Sequence, residues 1–140
     1  MKIRIPRISL VVVTTLIFGS LTPAQQIKLQ AQVPFDFVLG NTLYPAGHYT
    51  VTTEISNNVL RIEGDHAMAV LTLSIPVVSS VPSREAKLVF HHIRGSFFLY
   101  QVWGEKSEAG REFLSSQTEI QMARKGTKAV AIAVAAALVP

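Results

Sequence analysis

The sequence predicts a mainly β fold: an antiparallel sandwich or partly closed barrel of about seven or eight strands, with one short helix near the C-terminus. Three observations carry this. Apolar and polar residues alternate at period two through much of residues 27–103, as strands with one buried face require. Clusters of Gly, Pro, Asn and Ser recur between the alternating runs and mark turns. Only residues 116–126 break the rhythm, with a helix start signal and a glycine stop.

The N-terminus is read separately. Lys2, Arg4 and Arg7 form a positive region, residues 8–18 an apolar run, and residues 19–24 a stretch of small or helix-breaking residues. This is the layout of a secretory signal peptide. The expected domains are therefore a signal segment, 1–24, cleaved after Ala24, and a single β-rich domain, 25–140. The expected location is periplasmic or secreted. The apolar run is shorter than the roughly 20 residues of a membrane-spanning helix, so no transmembrane helix is expected in the mature chain. Three of the 13 basic residues lie in the signal, leaving 10 against 9 acidic ones. A near-neutral domain has no nucleic-acid footprint, which needs a clustered basic face. Cysteine is absent, which excludes disulfides, thiolate nucleophiles and cysteine metal sites.

From Ile27 the residues Leu29, Ala31, Val33, Phe35 and Phe37 share one face, and Lys28, Gln30, Gln32, Pro34 and Asp36 the other. Pro34 cannot donate to a ladder and places this strand at an edge or with an open side. Gly40-Asn41 and Pro45-Ala46-Gly47 are turn signals, and Tyr49, Val51 and Thr53 open the returning strand. Ser56-Asn57-Asn58 turns into a short strand with Leu60 and Ile62 inward. Ala67, Ala69, Leu71, Leu73 and Ile75 share one face of the next, longer strand. Met68 and Val70 imply cover on its other side as well. Residues 76–84, with two prolines and three serines, read as the main loop. Residues 87–92 and 97–103 form a hairpin about Arg94-Gly95-Ser96. Regular alternation sends Phe97, Leu99 and Trp103 to one side and Phe98, Tyr100 and Val102 to the other. Residues 104–110 read as a polar loop. Ser116 and Glu119 form a capping box, Arg124 and Lys125 complement the helix dipole, and Gly126 ends the helix. In the apolar tail, Val130, Ile132 and Val134 suit a closing strand, while the alanine-rich residues 135–138 fit strand or helix equally.

Chemistry-bearing patterns are sparse. His91 and His92 are adjacent on a strand, so their side chains point to opposite faces and do not chelate one ion. Asp36 and Glu112 are carboxylates that nothing in the sequence brings together. No Gly-x-Ser-x-Gly elbow and no phosphate-binding glycine loop is present. No catalytic residue, metal ligand or cofactor is expected. Five residues are candidates for contact with a ligand or partner: Asp36, Tyr44 and His48 beside the first turns, and Tyr100 and Trp103 in the aromatic hairpin. The aromatic set of that hairpin reads first as core.

These residues also carry a resemblance. Val33-Pro34-Phe35-Asp36-Phe37, Gly40-Asn41 and Pro45-Ala46-Gly47-His48-Tyr49, with the hairpin Lys87-Leu88-Val89-Phe90-His91-His92 and Phe97-Phe98-Leu99-Tyr100-Gln101-Val102-Trp103, resemble a family of small exported acidobacterial-type proteins of uncharacterised function. That family shows a VPFDF…GN…PAGxY opening. The chain differs from it where Tyr44 precedes Pro45 and where Phe113-Leu114-Ser115 leads into the helix. The resemblance implies export and a β-rich fold, and it brings no catalytic residues. The expected function is that of an exported, non-enzymatic β module that binds or packs against a cell-envelope component. The alternatives are a carrier of a small apolar ligand with a calycin-like cavity and an outer-membrane-associated barrel.

Overall fold

In the computed structural model, residues 27–54 and 58–139 are described. The expected signal segment lies outside them, as do Ser56 and Asn57 of the expected turn. The elements are β1 (Ile27–Val33), β2 (Phe37–Leu39), β3 (Thr42–Tyr44), β4 (Gly47–Glu54), β5 (Val59–Gly64), β6 (Ala67–Ser83), β7 (Lys87–Ile93), β8 (Ser96–Trp103), β9 (Ser107–Phe113), α1 (Gln117–Arg124) and β10 (Val130–Leu138). The chain is mainly β with one helix near the C-terminus, as the alternation predicts.

Eight strands close into an antiparallel barrel in the order β1-β4-β5-β6-β9-β8-β7-β10, with β10 returning to β1. β2 and β3 are extra. β2 runs parallel to β8, pairing Val38 with Phe98. Further along β8, Gln101, Val102 and Trp103 pair instead with β9. Since β7 holds the other edge of β8, the β2–β3 hairpin occupies the stretch of edge that β9 leaves free. Closure of this kind removes the open edges on which strands aggregate.

The barrel interior is filled. Leu29 and Val33 of β1, Tyr49 and Val51 of β4, Leu60 and Ile62 of β5, and Leu88 and Phe90 of β7 belong to one cluster of sixteen buried residues. Phe37 and Tyr44 enter it from the extra hairpin. Phe37 meets Phe90 edge-on at 5.4 Å between ring centres and Tyr49 at 4.9 Å. Half-buried Phe35 stacks on Phe97 at 3.8 Å and meets Phe90 edge-on at 5.0 Å. Edge-to-face packing of this kind adds to the area the rings bury.

Several expectations are corrected. The first alternating run is interrupted at residues 34–36, so Phe37 begins a separate strand. Asp36 is used in the turn, where its Oδ1 accepts the Ala46 N–H at 2.9 Å. Residues 76–83 are not a loop. They continue β6 along β9, with Pro76 opposite Arg111. The β5 ladder has ended at Leu73, so Pro76 has no donor to withhold on that side. Of the expected polar loop only residues 104–106 turn, with Lys106 at φ +53. The alanine-rich tail is strand throughout, because pairing with both β1 and β7 overrides alanine's weak β preference.

On β6 the face that Leu71, Leu73 and Ile75 share is the outer one. Leu60 and Ile62 are buried and pair with Thr72 and Val70, so Val70, Thr72 and Ser74 point inward. Leu71, Leu73 and Ile75 point outward and are exposed. The rings of Phe37, Tyr44, Tyr49 and Phe90 occupy the interior cluster, and β6 adds only small side chains to that side. Ser74 is buried but satisfied: it donates to the Asn58 carbonyl at 3.1 Å and accepts from Arg111 Nε at 3.0 Å.

Packing yields a test. A Cβ on Gly110 would lie 2.7 Å from the Trp103 ring, whereas one on Gly104 meets only Ser107 at 3.5 Å. Gly110→Ala is expected to destabilise by about 1–3 kcal/mol, and Phe90→Ala by about 3–5 kcal/mol. Gly104→Ala is expected to leave the urea midpoint near that of the parent. Equal midpoints for the two alanine variants at glycine would refute the Trp103–Gly110 contact.

Candidate functional site

A β-bulge builds a polar row on the outer wall. Val89 pairs with Gln101, but the next residue, Phe90, pairs with Leu99. Tyr100 is the extra residue, so it and Gln101 both reach the outer face. The regular alternation expected for β8 is corrected accordingly. Phe97, Leu99 and Val102 face the interior side, while Phe98, Tyr100, Gln101 and Trp103 face outward. Phe98, opposite His91, is nonetheless 1% exposed.

On this face the side chains form a connected row. Trp103 Nε1 donates to Gln101 Oε1 at 3.0 Å, and Gln101 Nε2 donates to Glu112 Oε2 at 2.9 Å. Tyr100, whose hydroxyl pKa is raised in part by nearby Glu112, stacks on His91 at 3.8 Å. His91 Nδ1 lies 2.8 Å from Glu119 Oε1. Glu119 is buried, and its own N–H is capped by Ser116 Oγ at 3.1 Å. Half of the expected capping box therefore forms, while the Glu119 carboxylate turns to the barrel. That contact fastens α1 to β7. The helix ends at Gly126, at φ +78, whose N–H reaches the Ala123 carbonyl at 3.1 Å.

Two open clefts flank the row. The larger, about 810 Å³, lies between residues 79–85 and the outer faces of β7, β8 and β10; Lys87, Val89, Gln101 and Trp103 line it with Ala133 and Ala135. The smaller, about 490 Å³, lies against α1, with His91, Glu119, Ile120 and Arg124 in its lining. The polar row connects the two.

The five sequence candidates separate. Tyr100 and Trp103 join this row. Asp36 is a turn residue, Tyr44 is buried in the interior cluster, and His48 is exposed on β4, away from the row. His91 and His92 fall on opposite faces: His92 stacks on Phe97 at 4.4 Å, towards the interior. The sequence does not mark Gln101, Glu112 and Glu119 as one site, since only the bulge and the helix docking bring them together. The adjacent aromatic and amide residues 100, 101 and 103 were the available signal. Among the described residues no group of three or more His, Asp or Glu side chains converges as a metal site, and no helix is long and apolar enough to cross a membrane.

Comparison of the chain with family models, with curated proteins and with solved structures finds no match in any of the three.

All three tyrosines of the chain have hydroxyls pushed above the ordinary value of 10.0. Burial is the main cause in each. For Tyr100 the Glu112 hydrogen bond and the charges of Glu112 and Glu119 add to it; for Tyr49 the Tyr44 and Asp36 charges do. A raised phenol in the folded state contributes stability that is complete below pH 10 and is lost as pH rises through the folded value. Absorbance titration at 295 nm should therefore place every native midpoint above that of the urea-unfolded chain, with stability falling on the alkaline side. A native tyrosine titrating with the unfolded chain would contradict the burial. Tyr100→Phe should remove the midpoint that is sensitive to Glu112→Gln.

Proposed function

We propose that the chain is an exported, non-enzymatic β module that binds a component of the cell envelope through the outer face of its barrel, at the cleft beside Trp103. The observation that carries this is a contrast: the interior is filled by side chains, while an open cleft of about 810 Å³ lies outside it. Concave sites with apolar walls and a few polar groups are where ligands bind. Here the walls are Val89, Ala133, Ala135 and Trp103, and the polar groups are Lys87, Arg84, Glu85 and Gln101. Trp103 is fixed by Gln101 and by the bare backbone of Gly110, which makes it a rigid contact surface. The N-terminal signal pattern and the resemblance of the opening to small exported proteins support export.

An apolar-ligand carrier needs internal space, and the filled interior favours the outer-face reading over it. An outer-membrane barrel presents apolar residues to lipid. The exposed or half-exposed outward residues of β1 and β4 are Lys28, Gln30, Gln32, His48, Thr50 and Thr52, which suits water on that side.

Ala133 and Ala135 are exposed, so arginine at either position fills the cleft without entering the core. The Ala133→Arg and Ala135→Arg proteins should melt as the parent does but lose retention on an immobilised envelope fraction. Trp103 is the single tryptophan, so its emission should shift when the parent is saturated with the retained component. Retention unchanged in both variants would refute the cleft as the site. Saturable uptake of an apolar dye, indifferent to both arginines, would favour the carrier instead.

A further inference from the structure

β6 wears its apolar face outward. Leu71, Leu73 and Ile75 are 70%, 61% and 49% exposed and stand at period two on one side of the strand, with Ala69 before them. Phe113 pairs with Ser74, so Leu114, 57% exposed, extends the row sideways just past the end of β9. Together these residues present on the order of 400 Å² of apolar surface, the size at which an exposed patch marks an interaction site. The inward positions of the same strand carry Val70, Thr72 and Ser74. A one-residue change of register would exchange the two faces, yet β5 and β9 hold the register on both sides. The apolar row is therefore kept outward by the barrel itself.

We propose that a second copy of this chain covers this row, sheet face against sheet face about a two-fold axis. Sheets pack in this way about 10 Å apart, with the side chains of facing strands interdigitated. The border of the row fits a copy of itself. On β5, Arg61 and Glu63 lie two residues apart on the outer face and form an ion pair, so a base and an acid stand side by side at one edge. A two-fold axis turns such an edge into a self-complementary one, each Arg61 gaining the Glu63 of the other copy. An anionic membrane surface asks instead for a basic border. Across the row, the residue opposite Ile75 is Glu112, which has the wrong sign for that. An apolar centre inside a polar rim is also the anatomy of a specific interface of about 800 Å² per partner.

The test is the mass of the purified protein in solution, by sedimentation over a range of concentrations. The parent should approach the mass of two chains. Leu73→Glu places a charge in each copy of a symmetric interface and should weaken association by about a hundredfold or more, equivalent to about 2.7 kcal/mol, while leaving the melting curve near the parent's because Leu73 faces water in the single barrel. Arg61→Glu should also weaken association, and adding Glu63→Arg should restore it. A parent that stays monomeric at its solubility limit overturns the proposal. So does a dimer that Leu73→Glu leaves intact, and so does a monomer that floats with phosphatidylglycerol vesicles through Leu73, which would assign the row to a membrane.

Discussion

β10 joins the two ends of the sheet, and the rest of the barrel depends on that junction. Its residues 136–138 pair with β1 and residues 130–135 with β7. Without it both neighbours would carry unpaired donors and acceptors along an edge, the arrangement that leads to intermolecular pairing. The composition of β10 suits the position. Ile132, Val134 and Ala136 are partly covered on the inner side, while the alternate alanines lie exposed outside. An alanine strand has little intrinsic β preference, so it is ladder bonds on two edges that hold it. Its small outward side chains leave the floor of the larger cleft open.

Closure also explains the small hairpin of β2 and β3. β9 pairs with only the last three residues of β8, and the remainder of that edge is taken by β2 at Phe98. The hairpin brings Phe37 and Tyr44 with it, and these rings meet Phe90 and Tyr49 in the interior. The opening stretch, residues 33–49, is thus a closing device: a break at Pro34, a turn stitched by Asp36 to Ala46, and two rings directed inward. Its unusual spelling follows from packing and turn geometry, and two of the polar residues that mark it, Asp36 and His48, lie away from the polar row of β7, β8, β9 and α1.

What was legible in the sequence was whatever a local rule decides. The face of β1 follows from strict alternation, the Gly40 and Gly126 stops from positive φ, and the helix start from Ser116, which caps the Glu119 amide. Residues whose role depends on a distant strand were not legible. The bulge at Tyr100 exists because β7 and β8 shift register between Val89 and Phe90, and nothing local marks it. The same shift decides that Gln101 meets Glu112 and that Tyr100 meets His91, so the polar row was hidden although each member was visible. On β6 both faces hold apolar residues, and the volume contributed by other strands selects the inner one.

The outward apolar row on β6 and the bulge on β8 have the same physical origin and opposite consequences. In each, the barrel wall fixes the register, and side chains that local patterning would send inward stand outside. On β8 the result is polar and self-satisfied: Trp103, Gln101, Glu112, Tyr100, His91 and Glu119 bond or stack in sequence, so the wall is rigid where the clefts open. On β6 the result is an exposed apolar row of Leu71, Leu73 and Ile75, bordered by Arg61 and Glu63 on one side and by Glu112 on the other. A rigid polar wall is pre-organised to receive a ligand, since little side-chain entropy remains to be lost there. An apolar row gains only by being covered. The two outer surfaces therefore differ in kind, an open cleft beside a polar wall and an exposed apolar row, and the filled interior is what turns both outward.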